Sequence, residues 1–196
     1  MTGFVLALSG AIGAGKTSLA ERLAARLSAR RVSFGIEVRR YAEEHGANKK
    51  DRAVLQQLGQ ALVLTQREAF VKRVLAQDID AQAPGDMNVP LIVDGVRHIE
   101  IFMELKRQLA PRRVHLIHIT TPGSTREQRI MEKDGVERRV VARYDNDITE
   151  AQVSRILPQY AGLTVQGELP VDLQVQQVVQ KLKEWHATAD SELTAA

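Results

Sequence analysis

Apolar runs alternate with amphipathic stretches along this chain, so the sequence predicts an α/β domain with a mainly parallel sheet and helices on both faces. Three observations carry that expectation. Short apolar runs bounded by turn residues recur at residues 4–9, 32–35, 90–95, 114–119 and 163–166. The first of them leads through a glycine-rich turn straight into a helical pattern. The composition, 44% apolar and 26% charged over 196 residues, is that of one globular domain able to bury its own core.

Each element has its own local reason. The run FVLALS ends at glycine and reads as a buried strand. Residues 17–29 follow as a helix, with Leu19, Leu23 and Leu27 recurring every four positions. Residues 32–35 form a second brief strand, and residues 37–45 a helix closed by Gly46. From 51 to about 82, Leu55, Leu58, Leu62, Thr65 and Ala69 line one side of a long helix.

The stretch AQAPGDMNVP is a surface connection, and PLIVDG after it is a strand. A helix over 99–109 and a strand over 114–119 come next. Residues 123–143 are rich in Arg and Lys and poor in core residues, which marks an exposed helical excursion. Residues 149–160 open on a capping-box pattern, Thr149 followed by Gln152. After a last strand at 163–166, Leu173, Val175, Val178, Val179 and Leu182 give residues 171–186 the core face of a closing helix. The terminal ATADSELTAA reads as a frayed tail. One domain over 1–188 with a flexible tail at 189–196 is expected, without internal repeats.

Bulk properties narrow the function classes. The net charge of +3 admits an anionic partner without demanding nucleic acid. The eight aromatics are scattered, and none sits in a basic run that would mark a stacking platform. With no cysteine, disulfides and thiolate metal sites are excluded. FVLAL is too short to span a membrane and lacks a basic leader, so a soluble cytoplasmic protein without membrane or nucleic-acid partners is expected.

The chemistry centres on Gly10-Ala11-Ile12-Gly13-Ala14-Gly15-Lys16-Thr17, a full match to G-x-x-x-x-G-K-[ST] between a strand and a helix. Glycines let consecutive N–H groups turn inward on phosphate oxygens, and the helix N-terminus adds partial positive charge. Gly10, Ala11, Gly13, Ala14, Gly15, Lys16, Thr17 and Ser18 are therefore the expected nucleotide-binding residues. Lys16 can reach the β- and γ-phosphates, and the Thr17 hydroxyl can ligate Mg²⁺. The plain alternative is an accidental glycine turn, expected in roughly one chain in a hundred of this length.

Asn48-Lys49-Lys50-Asp51 matches the N-K-x-D that reads guanine in GTPases. It sits early and between two helices, so a helix cap by Asp51 or Asn48 is the better reading. Asp94 closes the strand LIVDG, where a carboxylate can hold a Mg²⁺ water or orient an attacking oxygen; the plain alternative is that Asp-Gly is a good turn pair. Arg97 can clamp the phosphate of an acceptor bidentately, or be an ordinary ion-paired arginine. Ser9/Gly10, Gly35, Asp94 and Thr120 all fall at predicted C-terminal strand ends, where ligands lie in such sheets.

At these residues the chain resembles a family. VDGVRHIEIFMELKRQL is similar to the corresponding segment of the deoxynucleoside monophosphate kinase and dephospho-coenzyme A kinase group of P-loop kinases. SFGIEVRRYAEEHG resembles that group's second strand and helix, which places Arg39 near the acceptor, and DRAVLQQLGQAL resembles its R-x-x-L-Q-x-L-G helix, giving Arg52, Gln56 and Gly59. The likeness runs through most of residues 4–186, with the glycine-rich loop as its one sharply specific motif.

The resemblance implies a P-loop NTPase three-layer sandwich with a five-stranded sheet in the order 2-3-1-4-5 and a helical lid at about 123–145. It also implies ATP with Mg²⁺ as cofactors and transfer of the γ-phosphoryl to a small phosphorylated acceptor, a (deoxy)nucleoside monophosphate first. STREQRIMEKDGVERRVVARYD takes the place of the lid, whose arginines close over the transferring group. Arg126 and Arg129 can share one helix face, as can Arg139 and Arg143. Arg129 is the first choice as a catalytic lid residue and Arg143 the second, although for any single arginine a solvated face is the plain alternative. Lys133 stands where the group usually has arginine, and Tyr144 interrupts an expected Arg-Asp pair.

The expected site is thus Lys16, Asp94, Arg129 and Arg143 for catalysis, Thr17 and Asp94 for metal, and Arg39, Arg52, Gln56 and Arg97 for the acceptor. Two alternatives stay open. One is a dephospho-coenzyme A kinase, in which Asp94 would serve as base to a sugar hydroxyl. The other is a nucleotide-dependent switch with slow or no turnover. His45, His98, His115, His118 and His186 show no metal spacing and read as structural or surface residues.

Overall fold

The computed structural model describes residues 3–77, 88–137, 140 and 152–194, with side chains to residue 187. In chain order the strands are β1 (Val5–Gly10), β2 (Arg30–Ser33), β3 (Leu91–Val96), β4 (Val114–Thr120) and β5 (Leu163–Gln166). The helices are α1 (Lys16–Leu27), α2 (Phe34–Glu44), α3 (Arg52–Ala76), α4 (Ile99–Gln108), α5 (Gly123–Asp134), the short α6 (Leu157–Tyr160) and α7 (Val171–Thr194). A π-helical turn, Gln152–Ile156, runs into α6.

The strands make one five-stranded sheet in the order β2-β3-β1-β4-β5, parallel throughout. This is the expected topology. The central β1 is buried along its whole length, which is why VLALSG reads as a continuous apolar run. Because side chains alternate across a strand, Val5 and Ala7 face one layer and Leu6 and Leu8 the other. Leu19 and Leu23 of α1 pack with Val175, Val178 and Leu182 of α7 on the Leu6/Leu8 face. On the opposite face α2, α3, α4 and Leu157 contribute Val38, Val63, Phe70, Ile101 and Leu105. No helix among the described residues is long and apolar enough to cross a membrane.

Several boundaries differ from the sequence expectation. Strand β2 ends at Ser33, not Gly35, because the Ser33 hydroxyl accepts the Ile36 N–H at 3.4 Å and caps α2. Gly35 therefore lies in a first helical turn and not at a strand end. The long helix stops at Ala76 and is broken at Gln66, whose φ of −141° is non-helical. The leucine periodicity continues across that break, so the pattern could not reveal it. Asp51 caps α3 by accepting from Ala53 N at 2.9 Å and Val54 N at 3.4 Å, as the helix-cap reading of Asn48–Asp51 expects. Thr149 and its capping box lie outside the described residues, and Gln152 instead begins the π-helical turn. Helix α7 runs on to Thr194, well past His186, so most of the segment read as a frayed tail is helical.

Candidate active site

The first wall of the site is built by local sequence. After Gly10 the chain turns through Ala14, whose N–H donates to Ala11 O at 3.1 Å, and enters α1 at Lys16. Gly15 caps that helix at φ 98°, in the left-handed region that a side chain strains. Gly13, at φ 78°, is doubly constrained, since a Cβ there would lie 2.8 Å from the Arg126 carbonyl of α5. The loop is thus a bare-backbone cradle pressed against a neighbouring helix.

Two side chains complete it. The Lys16 ammonium donates to Gly10 O at 2.7 Å and Ala11 O at 2.8 Å. The Thr17 hydroxyl donates to Asp94 Oδ2 at 3.0 Å. Asp94 reaches that position because β3 bulges after it: Leu8 pairs with Asp94, but Ser9 already pairs with Val96. Asp94 is 4% exposed.

The second wall is assembled from distant parts of the chain. A cavity of about 430 Å³ is lined by residues 12–18 of the loop and by Arg39, Arg52, Gln56, Asp94, Arg97 and Arg129. Its apolar floor comprises Phe34, Val38, Val63, Phe70 and Ile101. Arg39 also donates to Gly35 O at 3.1 Å. Six cations line the space, namely Lys16, Arg39, Arg52, Arg97, Arg129 and Lys133, and among the described residues Asp94 is the one acid that does so.

That imbalance acts on Lys16. Desolvation, then repulsion from Arg97 and more weakly from Arg52 and Arg126, pushes its pKa down to about 7, with Asp94 pulling the other way. His118 of β4 is lowered to about 4, by burial first and then by the Lys16 charge. His115 falls to about 4 mainly by burial, and its ring stacks on Trp185 at 4.0 Å. Both are structural placements.

Helix α5 forms the roof over the loop. Arg126 Nη1 donates to Ile12 O at 3.2 Å, while Arg129 donates to Gly13 O at 3.4 Å and to Gly167 O at 3.0 Å. The two arginines share the face turned to the loop, as their spacing predicts. Ile130 packs on Ile12 beneath them. Arg139, Arg143 and Tyr144 lie outside the described residues.

Every expected acceptor residue lines the cavity, and Gly10 and Ala11 stand behind it through the carbonyls that hold Lys16. Sequence reasoning missed Phe34, Phe70 and Gln60, which line the second wall. Gln60 carries a readable signal, being one helical turn beyond Gln56. It also missed Thr121, whose hydroxyl donates to Ala14 O at 3.1 Å, and Gly167, where a Cβ would collide with that hydroxyl and with Ala14 O. Both belong to turns after strands, where residue type alone says little.

A parallel 2-3-1-4-5 sheet with a phosphate-type loop after its central strand defines a P-loop protein of the three-layer α/β class. The AAA domain family matches residues 6–153, and the chain belongs to that family. In fold it is similar to the shikimate kinase of Acinetobacter baumannii in complex with shikimate, at 16% identity and a TM-score of 0.61, covering 93% of this chain and 94% of that one. It is similar also to a gluconokinase from Sinorhizobium meliloti 1021, at 14% identity and a TM-score of 0.54, covering 97% of each chain. No curated protein sequence matches it significantly.

Proposed function

We propose that the protein is a cytoplasmic phosphotransferase that moves the γ-phosphoryl of ATP·Mg²⁺ to a nucleoside monophosphate. The observation that carries this reading is a single cavity whose lining suits two different ligands. The amide cradle with Lys16 lines part of it, and Arg39, Arg97 and the apolar Phe34, Val38, Val63, Phe70 and Ile101 line the rest. An acceptor with an anionic head and a flat apolar body matches that second set. A flat apolar body buries more surface against Phe34, Val63 and Phe70 than a polyhydroxylated acid would.

The cradle fits ATP·Mg²⁺: Gly13 and Gly15 hold main-chain shapes that side chains would obstruct, and Thr17 and Asp94 offer adjacent oxygens for the metal. When bound, ATP·Mg²⁺ supplies the transferable phosphoryl group and divalent charge. The chain's own contribution is positioning and charge neutralisation. Lys16, held on the carbonyls of Gly10 and Ala11, would bind phosphate oxygens when the nucleotide is present. Arg39 and Arg97 hold the acceptor's anion, with Arg52 and Gln56 beside them. Arg129, already on the loop, adds positive charge at the roof, and Arg143 is the second lid arginine in this reading. Asp94 orients metal or acceptor.

The test is a transfer screen from ATP to ribo- and deoxynucleoside monophosphates and dephospho-coenzyme A, with Lys16→Ala alongside. One monophosphate class is expected to react, and Lys16→Ala to lose nearly all transfer. Reaction with dephospho-coenzyme A alone overturns the acceptor assignment. Slow hydrolysis indifferent to every acceptor overturns the phosphotransferase reading in favour of a nucleotide switch.

A further inference from the structure

Arg52, which lines the cavity, forms a two-point ion pair with Asp134. Nε of Arg52 donates to Asp134 Oδ2, and Nη2 donates to Oδ1 at 2.9 Å. Both side chains are three-quarters buried, so the pair is not a solvated surface contact. It joins the first residue of α3, on the acceptor side, to the last residue of α5, the roof of the nucleotide side.

Local helix energetics account for neither residue. A cation at a helix N-terminus and an anion at a helix C-terminus each oppose the local dipole. Arg52 and Asp134 occupy those two disfavoured ends, and each offsets the other's mismatch. The pair also has mechanical reach. Through Arg126, Arg129 and Ile130, α5 is fastened to the carbonyls of Ile12 and Gly13 and to the Ile12 side chain. Whatever sets the position of Arg52 is therefore attached to the loop that holds the triphosphate.

We propose that Asp134 is a positioning residue for the acceptor: it holds the Arg52 guanidinium at the cavity wall, so that the acceptor helix and the roof helix engage an anionic acceptor as one unit. This rests on the reading of the second wall as a phosphate-bearing acceptor's site. A side-on carboxylate fixes the plane of a guanidinium as well as its place. Arg52 then meets the acceptor without first losing its rotamer freedom. Asparagine at 134 keeps the shape but cannot offer two anionic oxygens.

The experiment compares wild type, Asp134→Asn, Asp134→Glu, Arg52→Ala and the Arg52→Ala/Asp134→Asn double variant. With the loop filled by a non-hydrolysable ATP analogue and Mg²⁺, inorganic phosphate is titrated calorimetrically. Asp134→Asn is expected to weaken phosphate binding about tenfold, Asp134→Glu to recover part of the loss, and the double variant to bind no worse than Arg52→Ala alone. In steady-state transfer, Asp134→Asn raises the acceptor KM at least about fivefold more than the ATP KM.

Tighter phosphate binding by Asp134→Asn overturns the proposal, since Asp134 would then be a competitor of the acceptor. Equal binding with a lowered melting temperature overturns it as a merely structural pair. Absence of phosphate binding to wild type overturns it as well, because Arg52 would then serve no such anion. The two readings fail separately: weakened phosphate binding without monophosphate turnover removes only the nucleotide acceptor, whereas turnover with unchanged phosphate binding removes only the role of Asp134.

Discussion

The two walls of the cavity are made in opposite ways. The nucleotide wall is contiguous in sequence: residues 10–18 bend at Gly10, Gly13 and Gly15, all at positive φ. The acceptor wall gathers Phe34, Arg39, Gln56, Gln60, Asp94 and Arg97 from α2, α3 and the end of β3. One wall depends on backbone shape, which few sequences can adopt. The other depends on side chains whose types are common everywhere. Changes on the first should abolish function outright, and changes on the second should retune it.

The largest expected effect lies on the first wall. Lys16→Ala should lower transfer by about 10²–10³-fold or more, since it removes the ammonium held on the loop carbonyls of Gly10 and Ala11. Gly13→Ala should be comparably severe, because the new Cβ meets the Arg126 carbonyl at 2.8 Å. Nucleotide affinity and kcat should fall together. If Gly13→Ala keeps wild-type nucleotide affinity, the contrast between the walls disappears.

Next in size come Arg39→Ala and Arg97→Ala. Each should raise the acceptor KM about 10–100-fold while moving the ATP KM much less. Equal changes in both constants, measured by steady-state kinetics, would merge the two walls into one site.

A smaller and more diagnostic effect follows from the Lys16 proton. With a pKa near 7 in the folded protein against 10.5 in the unfolded chain, Lys16 is largely neutral above about pH 8. A bound triphosphate restores its charge, so ATP·Mg²⁺ binding at about pH 8 should take up close to one proton. Near pH 6 it should take up almost none. Calorimetry in buffers of different ionisation enthalpy reads this directly. The same depressed pKa costs folded-state stability below about pH 7, a cost that fades as pH rises toward 10.5. Lys16→Ala should therefore flatten the stability profile across that window.

The smallest effect separates scaffold from site. Asp51→Ala removes the α3 cap and should cost about 1 kcal/mol in denaturant unfolding. It should leave both substrate constants nearly unchanged. A loss of guanine-nucleotide binding instead would revive the N-K-x-D reading of Asn48–Asp51.

What could be read in advance follows the same division. The alternating strands and helices and the glycine cradle were legible because periodicity and glycine spacing report backbone directly. Asp94 was legible from its place at a strand end, and the sheet order came from likeness to a family. The β2 boundary was misread since Ser33 caps the next helix while still looking like strand. The break at Gln66 was hidden, because a helix can kink without disturbing its apolar stripe. Arg97 was legible from its place three residues after Asp94, whereas Arg39, Arg52 and Gln56 were found only through likeness to a family. Phe34, Phe70 and Asp134 belong to no motif, so nothing in the sequence singles them out, and Gln60 has only its spacing from Gln56. Nothing in a linear pattern says that Asp134 meets a partner 82 positions away.

The central claim is that one cavity presents an ATP cradle to an anionic, flat acceptor. The most direct measurement is ADP formation by wild type and Lys16→Ala across the nucleoside monophosphates, each with and without acceptor. The account expects ADP to form with one monophosphate class and stoichiometric diphosphate product, and Lys16→Ala to form almost none. ADP formation at the same rate with no acceptor present, or undiminished in Lys16→Ala, would contradict it.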